Sequence, residues 1–247
     1  MAKIKKMIRN FFILLDDLLR SFIIYLPGHL GRKLRYFYYK RKFKKCGKNV
    51  KIDEGVIIEG PEWISIGDNV LFDKYCLLTA GKNDLTNKIV KIRENKDFTA
   101  KEGELIIGSG VHIGANSIIQ ALGGVYIGNN VTLSAGCKIY SLSNYPIDEK
   151  HPNIITYANY LVKDQKKVSY IVSPIVIEDN VWIALDCLVL GGTVGKNSFI
   201  TSRSLVLYDI PQNSYASGSP AKKTKDRFKL KKAMRDNLSS SPAFFIK

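Results

Sequence analysis

Three histidines are the residues of this chain best suited to move a proton near neutral pH. Imidazole is the side chain that ordinarily titrates between about pH 5 and 8, so it is the usual general base toward a hydroxyl group. His112 stands between the apolar residues Val111 and Ile113, so its ring is expected on the outer side of a strand. His29 lies in a basic amino-terminal segment and His151 in a polar stretch. His112 and His151 are therefore candidates for proton transfer, although each could also be an ordinary surface residue.

Apolar residues recur every six positions through most of the chain, and this spacing fits neither an α-helix nor an ordinary strand. Two successive sets show it: Ile107, Ile113, Ile119, Ile127, Leu133 and Ile139. Each six-residue step would be one short strand and a turn, and three steps would close a triangular coil. Turn residues such as Gly67-Asp68-Asn69 suit the tight corners. Residues 50–210 are thus predicted to form about five stacked coils around an apolar column.

Three of the four cysteines fall on inward positions of this repeat. Cys76, Cys137 and Cys187 each stand two residues before a repeating apolar residue. A buried thiol behaves as a small hydrophobic group. Because the chain has no C-x-x-C pair, we expect neither a disulfide nor a metal site, and a reducing compartment.

The repeat and the end of the chain together resemble the hexapeptide-repeat acyltransferases. The resemblance covers about residues 46–224. It is strongest where Asp209-Ile210-Pro211-Gln212-Asn213 leads to Gly218-Ser219-Pro220-Ala221-Lys222, which matches the family's closing D-I-P-x-N and G-x-P-A-K. The resemblance implies an all-β fold, a left-handed parallel β-helix, in a homotrimer with active sites between neighbouring subunits. It also implies acetyl-coenzyme A as the acyl donor.

Two insertions, residues 79–104 and 140–174, interrupt the repeat, and such long loops in a solenoid usually belong to a binding face. In the sugar- and antibiotic-modifying branch of the family, a catalytic histidine stands just past the strand that begins the second insertion. Asn144 stands at the matching position, and its amide can hold a hydroxyl but cannot take its proton. His151 shares this insertion and is the expected substitute base. His112 is expected to border the groove between subunits and to contact the acceptor.

The resemblance places the coenzyme A slot along the last coils. There V-W-I-A at 181–184 is similar to the family's V-W-I-G, and residues 190–195 are similar to L-P-G-V-T-I-G with one residue deleted. Cofactor-binding roles are thereby implied for Trp182, Ala184, Gly191, Gly192, Thr201, Ser202, Arg203, Gly218, Pro220, Ala221 and Lys222. Thr201 and Arg203 replace two glycines, which predicts a narrower or reshaped slot. Arg203 and Lys222 could pair with the phosphates of the cofactor.

Charge divides the chain into three parts. Residues 1–50 hold 14 basic and 2 acidic residues, residues 222–247 hold 9 and 2, and residues 51–221 hold 15 and 18. Because the repeat region is slightly acidic, nucleic acid is not an expected partner. We expect a basic amino-terminal segment (1–45), a β-helix domain (46–221) and a basic carboxy-terminal helix or tail (222–247).

The amino-terminal segment is predicted to be an amphipathic helix. One face would carry Phe11, Leu14, Leu15, Leu18 and Phe22. Asp16, Asp17 and Arg20 interrupt the apolar run, so the segment is too polar to span a bilayer. No small-residue cleavage site follows it, as a secretory signal would require. We expect the helix to hold a cytoplasmic protein on the anionic inner face of the cell membrane, and the alternative is that it packs against the β-helix or a neighbouring subunit.

The sequence thus favours an acetyl-CoA-dependent O-acetyltransferase that acts on a sugar of a bacterial surface polysaccharide (capsule, O-antigen or exopolysaccharide) or its lipid-linked precursor. One alternative is an N-acyltransferase of a nucleotide-linked amino sugar, because a neutral amine needs less help from a base. The other alternative is a non-catalytic β-helix scaffold or ligand-binding protein that has lost the catalytic histidine.

Overall fold

The computed structural model is a left-handed β-helix preceded by two α-helices, which confirms the predicted fold class. It describes residues 2–86, 88–98, 100–146, 150, 153, 155–156, 163 and 165–228. Helix α1 spans Ala2–Tyr25 and helix α2 spans Gly28–Lys40. Short 3₁₀ turns occupy Pro61–Trp63 and Gln165–Lys167.

The remaining elements of the described chain are short strands. In chain order they are β1 (Lys45–Cys46), β2 (Lys51–Ile52), β3 (Ile57–Glu59), β4 (Ile64–Ile66), β5 (Leu71–Phe72), β6 (Leu77–Thr79), β7 (Ile89–Ile92), β8 (Leu105–Ile107), β9 (His112–Ile113), β10 (Ile118–Gln120), β11 (Val125–Ile127), β12 (Thr132–Leu133), β13 (Lys138–Tyr140), β14 (Leu142–Asn144), β15 (Ser169–Val172), β16 (Ile175–Ile177), β17 (Trp182–Ile183), β18 (Leu188–Val189), β19 (Gly192–Val194), β20 (Phe199–Ile200), β21 (Leu205–Val206), β22 (Ser214–Gly218) and β23 (Ala221–Asp226).

Three sheets form the faces of a triangular prism. Sheet A has the order β1-β4-β8-β11-β16-β19, sheet B the order β2-β5-β9-β12-β17-β20-β22-β23, and sheet C the order β3-β6-β10-β13-β18-β21. All neighbours are parallel except β22 and β23, which form an antiparallel hairpin. A helix or tail was expected from residue 222 onward, but residues 222–226 belong to strand β23. Residues 229–247 lie outside the described residues.

The described strands complete six coils, one more than predicted. The sixth coil, β19–β21, pairs with the fifth through Val194 beside Ile177. Val194 follows the repeating residue Val189 by five positions instead of six, so the regular spacing misses it. Val194, Ile200 and Val206 are nevertheless fully buried. A one-residue deletion at a corner is thus accommodated without loss of the core.

The core is a continuous apolar column, as the repeat predicted. Its cysteines are where the sequence placed them, since Cys76, Cys137 and Cys187 are each 1% exposed. Burial raises the pKa of the Cys76 and Cys137 thiols to about 12, because a thiolate is poorly solvated there. Burial raises the pKa of Cys187 as well.

The corner between sheets A and B carries a ladder of asparagines. Asn130, Asn180 and Asn197 all have left-handed backbone, with φ of 54°, 59° and 60°. The Asn180 side-chain amide donates to that of Asn197 over 3.0 Å. Asparagine tolerates this conformation better than most residues, so the turn residues seen in the sequence set the corner geometry.

The two insertions leave the same corner, between sheets C and A, and pair with each other. Strand β7 of the first insertion runs parallel to β15 of the second, and β14 is antiparallel to β15. Leu142 of β14 and Val172 of β15 pair with each other in this three-stranded sheet, and both are buried. The sequence did not predict this pairing, because neither insertion carries the six-residue period.

Arg35 on α2 joins both helices to the β-helix. The side chain is fully buried, and its Nη1 donates to the carbonyl oxygens of Ile23 (2.8 Å), Ile24 (3.3 Å) and Leu26 (2.7 Å). Its Nε donates to the carbonyl oxygen of Ile52 on β2 over 2.8 Å. The last carbonyls of a helix have no partner within that helix, so Arg35 completes the end of α1.

Candidate functional site

His112 lies on the outer surface of sheet B and is paired with a carboxylate. Its Nε2 is 2.8 Å from Oδ2 of Asp73, the residue that follows β5 in the preceding coil. The side chains are 44% and 31% exposed, so both remain accessible. Because an ionised carboxylate only accepts, the neutral imidazole donates from Nε2 and leaves Nδ1 as a proton acceptor. This arrangement orients an imidazole for general-base chemistry.

Sequence reasoning did not single out Asp73. It is 39 residues before His112, and the first insertion lies between them. The coil register gives the missing signal, because Leu71 pairs with His112 and Phe72 with Ile113. The residue after Phe72 therefore lies beside His112 on the neighbouring coil.

His112 belongs to an outward row that runs along sheet B. Thr132 pairs with both His112 and Trp182, which confirms the shared face predicted from the sequence. Trp182 is 46% exposed, its Nε1 donates to Oγ of Ser134 over 2.9 Å, and its ring packs edge-on against Phe199. Adjacent strands are about 4.8 Å apart, so the Trp182 backbone lies about 10 Å from that of His112. The row offers a hydrogen-bonded, partly exposed aromatic surface near the His112–Asp73 pair.

Asn144 ends β14, at the outer edge of the second insertion. Its backbone pairs with Tyr170, and its Nδ2 donates to the carbonyl oxygen of Ser169 over 3.4 Å. The amide therefore takes part in holding the insertion together. His151 lies outside the described residues, so its assignment as the substitute base stays a prediction.

Gly191 and Gly192 are closely surrounded by other parts of the protein, so there is little room for a side chain at either position. A Cβ on Gly192 would lie 2.7 Å from the backbone of Tyr208, and a Cβ on Gly191 would lie 3.2 Å from Nη1 of Arg93. Arg93, from the first insertion, donates to the carbonyl oxygen of Leu207 over 3.0 Å and lies over the Tyr208 ring. The first insertion thus packs against this corner, and the donor-binding role that the resemblance implies for these glycines stays a prediction.

The corner between sheets B and C holds four of the residues implied for the donor, which are Ala184, Thr201, Ser202 and Arg203. Ala184 is buried, and Oγ1 of Thr201 is 3.1 Å from Oγ of Ser204. Arg203 is exposed with φ of 58°, and Asp186 has φ of 57° at the equivalent position one coil earlier. This corner therefore accepts left-handed residues other than glycine, which explains why Arg203 can replace one.

The closing motif forms the β22–β23 hairpin. Gly218 has φ of 108°, Ala221 is 5% exposed, and Pro220 and Lys222 are exposed. Ser202 is also exposed, next to Arg203. Arg203 and Lys222 are the exposed cations of this implied set that could pair with phosphate groups. In the part of the chain that the structure describes, no group of three or more His, Cys, Asp or Glu side chains could hold a metal ion.

Known proteins share the repeat and the fold. Residues 104–141 match the family model described as the hexapeptide repeat of succinyl-transferase. A galactoside O-acetyltransferase of Lactococcus lactis is 33% identical over 115 residues, which are 46% of this chain and 51% of that protein. A dTDP-4-amino-4,6-dideoxy-D-glucose acyltransferase of Escherichia coli is 32% identical over 103 residues, 42% of this chain and 43% of that protein. The chain spans about half the length of the curated relatives it matches.

A solved structure shows the same architecture over most of the chain. A mutant of the N-acyltransferase AntD of Bacillus cereus, in complex with dTDP and coenzyme A, matches with a TM-score of 0.59 at 19% identity, and the match covers 83% of this chain and 94% of that one. At this identity the likeness concerns the fold.

Proposed function

We propose that this chain, which belongs to the hexapeptide-repeat acyltransferase family, transfers an acetyl group from acetyl-coenzyme A to a hydroxyl group of a sugar. The His112–Asp73 pair carries the proposal, because a sugar hydroxyl is a poor nucleophile without a base. The similarity to a galactoside O-acetyltransferase favours a sugar as the acceptor. The acceptor would be a bacterial surface polysaccharide or its lipid-linked precursor, and the enzyme would be a homotrimer in the cytoplasm at the inner face of the cell membrane.

In the proposed reaction, Nδ1 of His112 takes the proton of the acceptor hydroxyl while the oxygen attacks the thioester carbonyl carbon. The tetrahedral intermediate then collapses, the carbon–sulfur bond breaks, and the imidazolium returns its proton to the leaving thiolate. Asp73 keeps Nε2 protonated and stabilises the imidazolium. A positioned base of this kind contributes about 10² to 10⁴ in rate.

The test compares His112→Ala and Asp73→Asn with the exposed control His29→Ala. Release of the coenzyme A thiol is followed at saturating acetyl-coenzyme A with a hexoside acceptor. We expect kcat to fall about 10²-fold or more in His112→Ala and about tenfold or more in Asp73→Asn, with coenzyme A binding and the control unchanged. If His112→Ala keeps its rate and His151→Ala loses it, the base lies in the second insertion. Unchanged rates in both would refute a histidine base.

An amino sugar is the second candidate acceptor, favoured by the similarity to the dTDP-amino-sugar acyltransferase. A neutral amine attacks the thioester without prior removal of a proton, so His112→Ala should cost little with such an acceptor. The same assay with a dTDP-linked amino sugar separates the two functions. A larger kcat/KM for the amine would favour N-acylation. If the protein shows no turnover and no heat of acetyl-coenzyme A binding, that result would favour a scaffold.

A further inference from the structure

Helix α1 presents an apolar stripe to solvent along its length. Its large side chains are 58–68% exposed at Ile4, Met7, Phe11, Leu14, Leu18, Phe22 and Tyr25. Steps of three and four residues place these side chains on one helix face. Neither of the described α-helices is long and apolar enough to cross a membrane.

The opposite side of α1 holds the helix to the rest of the protein. Tyr38 donates from its hydroxyl to Oδ2 of Asp16 over 3.0 Å, and Lys42 pairs with the same carboxylate. Ile23 and Ile24 are 2% and 6% exposed. Because these contacts fix the rotation of α1 about its axis, the apolar stripe faces away from the described protein.

Helix α2 adds a second exposed apolar face. Leu30, Leu34 and Phe37, spaced by four and three residues, are 63%, 38% and 62% exposed. Lys33 and Lys40 are exposed on the same helix, which contains no acidic residue. The apolar face is therefore accompanied by positive charge.

We infer that α1 and α2 together dock on an anionic lipid bilayer. Residues 1–50 hold 14 basic and 2 acidic residues, and one of those acids, Asp16, already pairs with Lys42. An anionic membrane offers this surface both of its complements, an apolar interior and negative headgroups. Because Arg35 joins α1, α2 and β2, docking would also fix the β-helix relative to the bilayer. The inference does not depend on acyl transfer.

The test is flotation of the full-length protein with phosphatidylcholine vesicles that contain or lack phosphatidylglycerol. The apolar variant is Phe11→Ala/Leu18→Ala/Phe22→Ala. Burying a large apolar side chain is worth about tenfold or more in affinity, so we expect this variant to bind anionic vesicles at least about 10²-fold more weakly. The matched control replaces three exposed apolar residues of the β-helix and its insertion: Ile92→Ala, Leu185→Ala and Tyr208→Ala. The control should bind like the wild type.

A charge variant, Lys33→Gln/Lys40→Gln/Arg41→Gln, should lose the preference for anionic vesicles, and raising salt should weaken wild-type binding. Circular dichroism and melting should match the wild type in every variant, since all replaced side chains are exposed. Absence of wild-type binding to anionic vesicles at low salt would overturn the inference. Wild-type-like vesicle binding by the apolar variant would also overturn it. If that variant binds vesicles normally but has a changed oligomeric mass, the apolar stripe is a contact between subunits.

Discussion

Replacing Arg35 by methionine should weaken the attachment of α1 to the β-helix while leaving the β-helix folded. The guanidinium donates to four carbonyl oxygens, those of Ile23, Ile24, Leu26 and Ile52. The carbonyl of Ile24 keeps a second donor, the backbone N–H of Gly55 at 2.8 Å. Three carbonyls would therefore lose their partner, at about 1–3 kcal/mol each.

The lower end of that range applies to Arg35. Burial lowers its pKa, because a charge without water is costly, so the wild-type protein already bears a desolvation cost that methionine removes. We take about 3 kcal/mol in total, which corresponds to an increase of about 10² in the equilibrium for local opening. Methionine is of similar length and has no donor, so the change removes the hydrogen bonds and the buried charge while keeping an apolar chain in the space.

Hydrogen exchange measured by mass spectrometry would read this opening directly. Amides near the end of α1 should exchange about 10²-fold faster in Arg35→Met, and amides of the β-helix coils should exchange as in the wild type. Arg41→Met, at an exposed position just after α2, is the control and should change neither. Exchange in α1 within threefold of the wild type, or uniform loss of protection over the whole chain, would refute the reasoning.

Two further predictions concern the β-helix. Cys76 and Cys137 should resist thiol reagents at pH 8 in the native protein and react on unfolding. Burial raises their pKa from the ordinary 9 to about 12, so between these pH values the folded state keeps protons that the unfolded state loses. The free energy of unfolding, measured by denaturant titration, should therefore fall as pH rises from 9 toward 12. Gly192→Ala should lower the melting temperature by about 4 °C or more, because Gly192 has φ of 80° and a Cβ would lie 2.7 Å from neighbouring backbone. The control, Gly28→Ala, has φ of 74° but open space around the added Cβ, so its melting temperature should fall by less.

The repeat made the β-helix predictable because each six-residue step obeys the same local rule. An inward apolar residue such as Ile113, a strand and a tight corner recur, so face and burial follow from spacing alone. The sixth coil was missed because a deletion after Val189 breaks the spacing, although the backbone closes the corner all the same. The sheet of β7, β14 and β15 was missed for a different reason, since pairing between two insertions depends on where each leaves the coil and on no period.

The candidate site could be predicted only in part, because its partners meet across coils. The row of His112, Thr132 and Trp182 followed from the repeat, since equivalent positions stack. Asp73 did not follow, because an insertion of irregular length stands between it and His112 in the chain. Asn144 stands where the resemblance implies a histidine, and His112, the base that we propose instead, has its orienting carboxylate one coil away. Because stacking brings outward residues of adjacent coils side by side, the proposed base and its carboxylate could be paired only from the coil register.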